Sequence, residues 1–195
     1  MNNAYNISKS DEDFLNDYWS RYEQILFKSR NDNQILLIRD KCLNISKNGG
    51  KLIFVGNGAS ASLASHAATD FTKQAKLKSI AFNDHNLVTA LSNDYGYDQW
   101  VAKAISYYAN SNDLIFFISV SGNSPNLVNG IKYAKSQNIS TISFTGSSEG
   151  NFLMKNSDYS VWVNSNAYNI VESVHTILIT LVIDLIVGKP EYKVS

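Results

Sequence analysis

Two segments of this 195-residue chain, Leu52-Ile53-Phe54-Val55 and Leu114-Ile115-Phe116-Phe117-Ile118, are apolar at every position, and each stops at a run of small polar residues before a helical pattern begins. A strand with one wet face alternates apolar and polar residues. A strand apolar throughout is covered on both faces, the condition of a parallel sheet held between two helical layers. From residue 51 onward the pattern keeps alternating. Strands are predicted at 51–55, 78–82, 113–118, 140–145 and 159–163, with helices at about 61–74, 86–91, 98–109, 125–137 and 168–187 and a helical turn at 150–155. The expected fold is α/β: a three-layer αβα sandwich on a mostly parallel, five-stranded sheet.

Two helices precede this core. Ser10-Asp11-Glu12-Asp13 supplies a capping residue and first-turn acids ahead of Phe14, Leu15, Tyr18, Trp19, Tyr22, Ile25 and Leu26, which recur at helical spacing and predict a helix over about Glu12 to Phe27. A second helical pattern runs from about Asn33 to Asn48 and stops at Gly49-Gly50. The aromatic face of the first helix packs either on the chain's own core or on a neighbouring subunit. With no linker or low-complexity stretch, residues 1–195 read as one domain, with a helical oligomerisation segment at about 10–48 and a ligand-binding core at about 51–187.

The turns after the two apolar strands carry the chemistry. The first reads Val55-Gly56-Asn57-Gly58-Ala59-Ser60-Ala61-Ser62, and the second Ile118-Ser119-Val120-Ser121-Gly122-Asn123-Ser124-Pro125-Asn126. Both combine hydroxyls, small residues that let backbone N–H groups approach an anion, and the positive end of a helix dipole. In parallel sheets ligands bind at the carboxyl ends of strands, where both turns fall. Neither turn is G-x-G-x-x-G and no Walker lysine follows, so the expected ligand is a small phosphorylated molecule and no nucleotide cofactor is expected.

Seventeen basic and seventeen acidic residues leave no net charge and no basic block, which argues against direct nucleic-acid binding. Only 17% of residues are charged against 44% apolar, so an oligomer that covers part of the surface is expected. The single cysteine, Cys42, forms no intrachain disulfide and fits a reducing compartment. Met1 to Phe14 is polar and acidic, unlike a secretion signal, and the longest apolar stretch, Ile177 to Val187, is short for a bilayer. The expectation is a cytoplasmic protein with no membrane segment.

Four ordered segments resemble the sugar isomerase (SIS) domain proteins, and specifically their phosphoheptose isomerase branch. Gly56-Asn57-Gly58-Ala59-Ser60-Ala61 is similar to that branch's G-N-G-G-S-A loop, with Ala59 where glycine is usual. Asn93-Asp94-Tyr95-Gly96-Tyr97 resembles its N-D-Y-G-Y segment, Ser119 to Asn126 its S-T-S-G-N-S-P-N loop, and Phe144-Thr145-Gly146 its L-T-G turn. The resemblance implies a homotetramer joined by its N-terminal helices, with sites shared between subunits. It also implies phosphosugar contacts at Gly56, Asn57, Gly58, Asn93, Asp94, Ser119, Val120, Ser121 and Ser124. The implied reaction converts sedoheptulose 7-phosphate, or a related sugar phosphate, between ketose and aldose.

The family's zinc and acid–base positions are altered. Its first-loop helix carries a histidine and, four residues on, a glutamate; here these are His66 and Asp70, on one helix face. Aspartate is a methylene shorter, which places its carboxylate about 1 Å or more from the usual position. On the terminal helix Glu172 replaces a glutamine and Thr180 a histidine, and threonine is a poor zinc ligand that shuttles no proton near neutral pH. His66, Asp70 and Glu172 remain as a three-ligand set that could hold zinc or work without it. The same residues are the candidate catalytic groups, with Asp70 or Glu172 as base and His66 as acid. His175 has a histidine counterpart in the family and does not replace the missing one, and His85 reads as an ordinary loop residue. Two function classes follow: a phosphosugar isomerase with a remodelled site, or a non-catalytic phosphosugar-binding or scaffold protein of the kind that, in this family, forms tetramers on a bacterial replication initiator.

Overall fold

The computed structural model describes residues 10–28 and 30–192, so most of the polar N-terminal stretch lies outside it. The chain divides into two compact units, Met1–Arg30 and Asn31–Ser195. The first holds α1, Asp11–Glu23, which continues as a π-helical stretch Gln24–Lys28. Ser10 caps α1 by accepting from the Asp13 N–H at 3.2 Å, as the acid-rich start predicts. Phe14, Tyr18, Trp19 and Tyr22 touch along one stripe with ring centroids 5.4–6.1 Å apart, mostly edge to face or tilted, and α1 buries none of its residues.

The second unit begins with α2, Asp32–Lys47, whose Ile35, Ile38, Cys42 and Ile45 are buried in the core. The same helix leaves Leu36, Leu37 and Leu43 exposed on its other side. There follow β1 Leu52–Gly56, α3 Ala59–Lys73, β2 Ser79–Ala81, α4 His85–Tyr95, α5 Trp100–Tyr108, β3 Leu114–Ser119, α6 Pro125–Ser136, β4 Ser140–Thr145, α7 Phe152–Asn156, β5 Tyr159–Trp162 and α8 Tyr168–Val187. His85 thus opens a helix rather than sitting in a loop, after Asp84 caps α4 by accepting from the N–H groups of Asn86 and Leu87. The α8 helix is 20 residues long, enough by length and composition to cross a bilayer, but it packs on α2 and α3 and buries seven residues, including Ile179, Val182 and Ile183. It is a core helix in this fold.

The sheet is all parallel, ordered β2-β1-β3-β4-β5. One core layer gathers Phe54, Phe71, Phe116 and Phe144 under α2, α3 and α8; the other gathers Ile53, Phe117, Trp100 and Ile131 under α5 and α6. Phe54 and Phe116 stack at 4.5 Å, and truncating either to alanine would cost about 3–5 kcal/mol. The strand order reverses direction between β1 and β3, so the connections leaving these neighbours diverge to opposite faces and open a crevice at their carboxyl ends. Gly56 pairs with Ile118 in register, so the two polar turns leave the sheet side by side.

Candidate functional site

The first turn is held tight by Gly56, where a Cβ would lie 2.7 Å from the backbone of Ser60; any side chain there would push α3 off the strand end. Gly58 caps α3 without a side-chain hydrogen bond. The second turn is braced internally. Ser119 is buried and its hydroxyl accepts from the Gly122 N–H at 3.1 Å, while Ser121 Oγ accepts from the Asn123 N–H at 3.3 Å. Gly122 has φ +63° and is packed so closely on Asn151 that a Cβ would stand 2.0 Å from its Oδ1. Ser124 is the N-cap of α6, Pro125 begins it, and the Ser124 hydroxyl makes no capping bond. A phosphate seated here would meet helix N–H groups and serine hydroxyls not consumed by a side-chain cap.

The turns are joined by their asparagines. Asn57 Nδ2 donates to Asn126 Oδ1 at 3.0 Å, Asn126 Nδ2 donates back to Asn57 Oδ1 at 2.9 Å, and the Tyr97 hydroxyl donates to Asn57 Oδ1 at 3.2 Å. Asn93 and Asp94 lie on the last turn of α4, exposed, with Asn93 Nδ2 donating to Asp94 Oδ1 at 2.9 Å. Of that segment it is Tyr97, two residues past the helix, that touches a turn.

A cleft of about 360 Å³ opens between α3 and α8, with Ser60, His66, Glu172, His175 and Thr176 among its lining residues. His66 Nε2 and Asp70 Oδ2 stand 2.9 Å apart across one helical turn, so the shortened carboxylate still orients the ring. Glu172 faces the same cleft with Oε1 buried and without a partner, and burial raises its pKa. His175 is fully buried. Its Nε2 lies 3.1 Å from the Thr145 carbonyl, which can only accept, so Nε2 carries the proton and Nδ1 is a bare, unpartnered acceptor. Burial pushes its pKa down to about 4, against the Thr145 hydrogen bond, and the ring stays neutral.

Thr180 is not part of the cleft lining; its hydroxyl donates to the Thr176 and Ile177 carbonyls at 2.9 and 3.0 Å. Among the described residues no group of three or more His, Cys, Asp and Glu side chains stands close enough to hold a metal ion. His66 Nε2 and Asp70 Oδ2 are engaged with each other, and the Thr180 hydroxyl is turned back onto its own helix. Asn126 and Tyr97 lie in motifs visible in the sequence and His175 on the terminal helix, but what gives each a place at the site is burial or a contact far along the chain.

The SIS domain family model matches residues 14–146. A probable phosphoheptose isomerase of Thermoplasma acidophilum is 36% identical over 162 residues, covering 80% of this chain and 88% of the relative. The phosphoheptose isomerase of Thermodesulfovibrio yellowstonii is also 36% identical, over 172 residues, covering 82% and 85% respectively. The solved structure of a phosphoheptose isomerase from Francisella tularensis superposes with a TM-score of 0.85 at 25% identity, covering 93% of this chain and all of that one.

Proposed function

The chain belongs to the SIS domain family, and from that membership we propose that it is a phosphosugar isomerase of the phosphoheptose type, converting sedoheptulose 7-phosphate or a closely related ketose phosphate to the aldose. The observation that carries this reading is the juxtaposition of two anion-suited turns on neighbouring strand ends with an adjoining cleft that holds an ionisable pair and a half-buried carboxyl with one buried oxygen.

In this reading the second turn grips the phosphate through Ser119, Val120, Ser121 and Ser124, and Gly56, Asn57 and Gly58 line the approach from the first. Asn93 and Asp94 would complete the substrate contacts. The sugar's carbonyl end lies in the cleft. Glu172 is the base: it takes a proton from C1 of the ketose, the C–H electrons form the C1–C2 double bond of an enediol, and the same carboxyl returns the proton to C2. His66 manages the oxygens. Asp70 accepts from the Nε2 side and orients the ring, so Nδ1 faces the sugar, gives a proton to O2 and collects one from O1. No step passes through zinc. The working form proposed is a cytoplasmic homotetramer with the aromatic α1 stripe at its contacts.

The test is isomerisation of sedoheptulose 7-phosphate by protein as purified and after exhaustive chelation. Turnover in both samples is expected. Binding of the sugar phosphate with no turnover in either would overturn the isomerase reading in favour of a phosphosugar-binding protein.

A further inference from the structure

The Asn57–Asn126 contact joins residues 69 apart in the chain, and it is reciprocal. An amide offers two N–H donors and one oxygen with two lone pairs. The exchange takes one N–H from each partner, and Tyr97 fills the second lone pair of Asn57 Oδ1. The Asn57 oxygen is therefore saturated, its orientation is fixed, and one N–H is left to point at a ligand. Asn126 is 1% exposed and anchored in the first turn of α6, whereas Asn57 is half-buried on its turn and Tyr97 is 54% exposed. Asn126 is thus the fixed post, Asn57 the arm it holds, and Tyr97 a brace from a third segment.

We propose that Asn126 and Tyr97 are positioning residues, whose clasp on Asn57 fixes the spacing between the two turns so that a phosphosugar spans both. This rests on the phosphosugar reading above. The second turn is braced by its own Ser119–Gly122 and Ser121–Asn123 bonds and by α7, where the Leu153 N–H donates to the Gly122 carbonyl at 3.0 Å. It holds its shape without the clasp. Inorganic phosphate needs the second turn alone; a sugar phosphate also needs Asn57 in place.

The experiment measures dissociation constants for sedoheptulose 7-phosphate and inorganic phosphate by calorimetry, with kcat and KM alongside, in wild type and four variants: Asn126→Ala, Tyr97→Phe, Asn57→Ala and the Asn57→Ala/Asn126→Ala double. Asn126→Ala is expected to weaken the sugar phosphate about tenfold or more while inorganic phosphate stays within about twofold, and Tyr97→Phe to weaken it about threefold. Because Asn126 acts through Asn57, the double variant should be no worse than Asn57→Ala alone. Equal loss of both ligands, additive losses in the double variant, or no loss from either Asn126→Ala or Tyr97→Phe would overturn the proposal. Tyr97→Phe keeps it testable if the buried Asn126 variant does not fold. If the wild type binds the sugar phosphate without turnover, the isomerase reading fails while the affinity ratios still decide the clasp.

Discussion

Glu172 carries its carboxyl where burial works against charge, and that conflict can be measured. A carboxyl whose folded pKa is raised contributes stability that is full below its unfolded pKa of about 4.3 and is lost as pH rises through the folded value. Glu172→Gln removes the charge and keeps the shape. We expect the variant to melt above wild type at pH 7, with the difference closing as pH falls toward 4. Activity should move the other way, dropping about 100-fold or more and losing the acidic limb of the pH–rate profile, because glutamine accepts no proton. Loss of activity with a lower melting point at pH 7 would mark Glu172 as structural. Thr180 gives the opposite forecast. Its hydroxyl is spent on the Thr176 and Ile177 carbonyls, so Thr180→Ala should leave kcat/KM within about threefold. A collapse of kcat would mean that position 180 still belongs to the chemistry.

The strand–turn–helix unit at Leu114–Ser136 works because its turn is built before any ligand arrives. Gly122→Ala would put a Cβ onto Asn151 at a backbone angle that L residues avoid, and should cost about 2 kcal/mol or more of stability as well as sugar-phosphate affinity, read from urea unfolding and calorimetry. An Asn123→Ala change, which removes only the bond from the Phe152 N–H to Asn123 Oδ1, should cost less, and equal losses would argue against the strained-glycine account. The same unit shows what could be read in advance. Apolar runs such as Leu114–Ile118 announce a doubly covered parallel strand without reference to the rest of the chain, and the spacing of His66 and Asp70 announces one helix face. Local pattern does not say which partner a helix stripe finds. On α2 the spacing alone does not tell Ile38 and Cys42, fully buried in the α/β unit, from Leu37 and Leu43, which face outward. Nor does it reveal that Asn126 meets Asn57 or that His175 turns inward to Thr145, since each depends on elements far apart in sequence.

At the scale of the whole molecule, the exposed face of α1 bears on assembly. It carries Phe14, Leu15 and Trp19 at 57, 53 and 65% exposure, and Phe27 in the π-helical stretch at 70%, on a protein with few charges to keep such a surface in water. Burying one such side chain is worth about 1.5–3 kcal/mol, and four copies of the stripe meeting one another would stabilise an assembly well beyond what a single pair of residues could. The rings already touch one another in a row, so the stripe presents a continuous apolar face to a partner. Wild type should therefore sediment near four times the chain mass at micromolar concentration. A Phe14→Asp/Trp19→Asp variant should shift toward the monomer while keeping the circular dichroism of the α/β unit, because neither side chain is buried in the chain's own core. If subunits share their sites, sugar-phosphate turnover should fall in step with the loss of tetramer across a dilution series. Full turnover by a monomeric variant would confine the site to one chain and leave the aromatic stripe a purely structural contact.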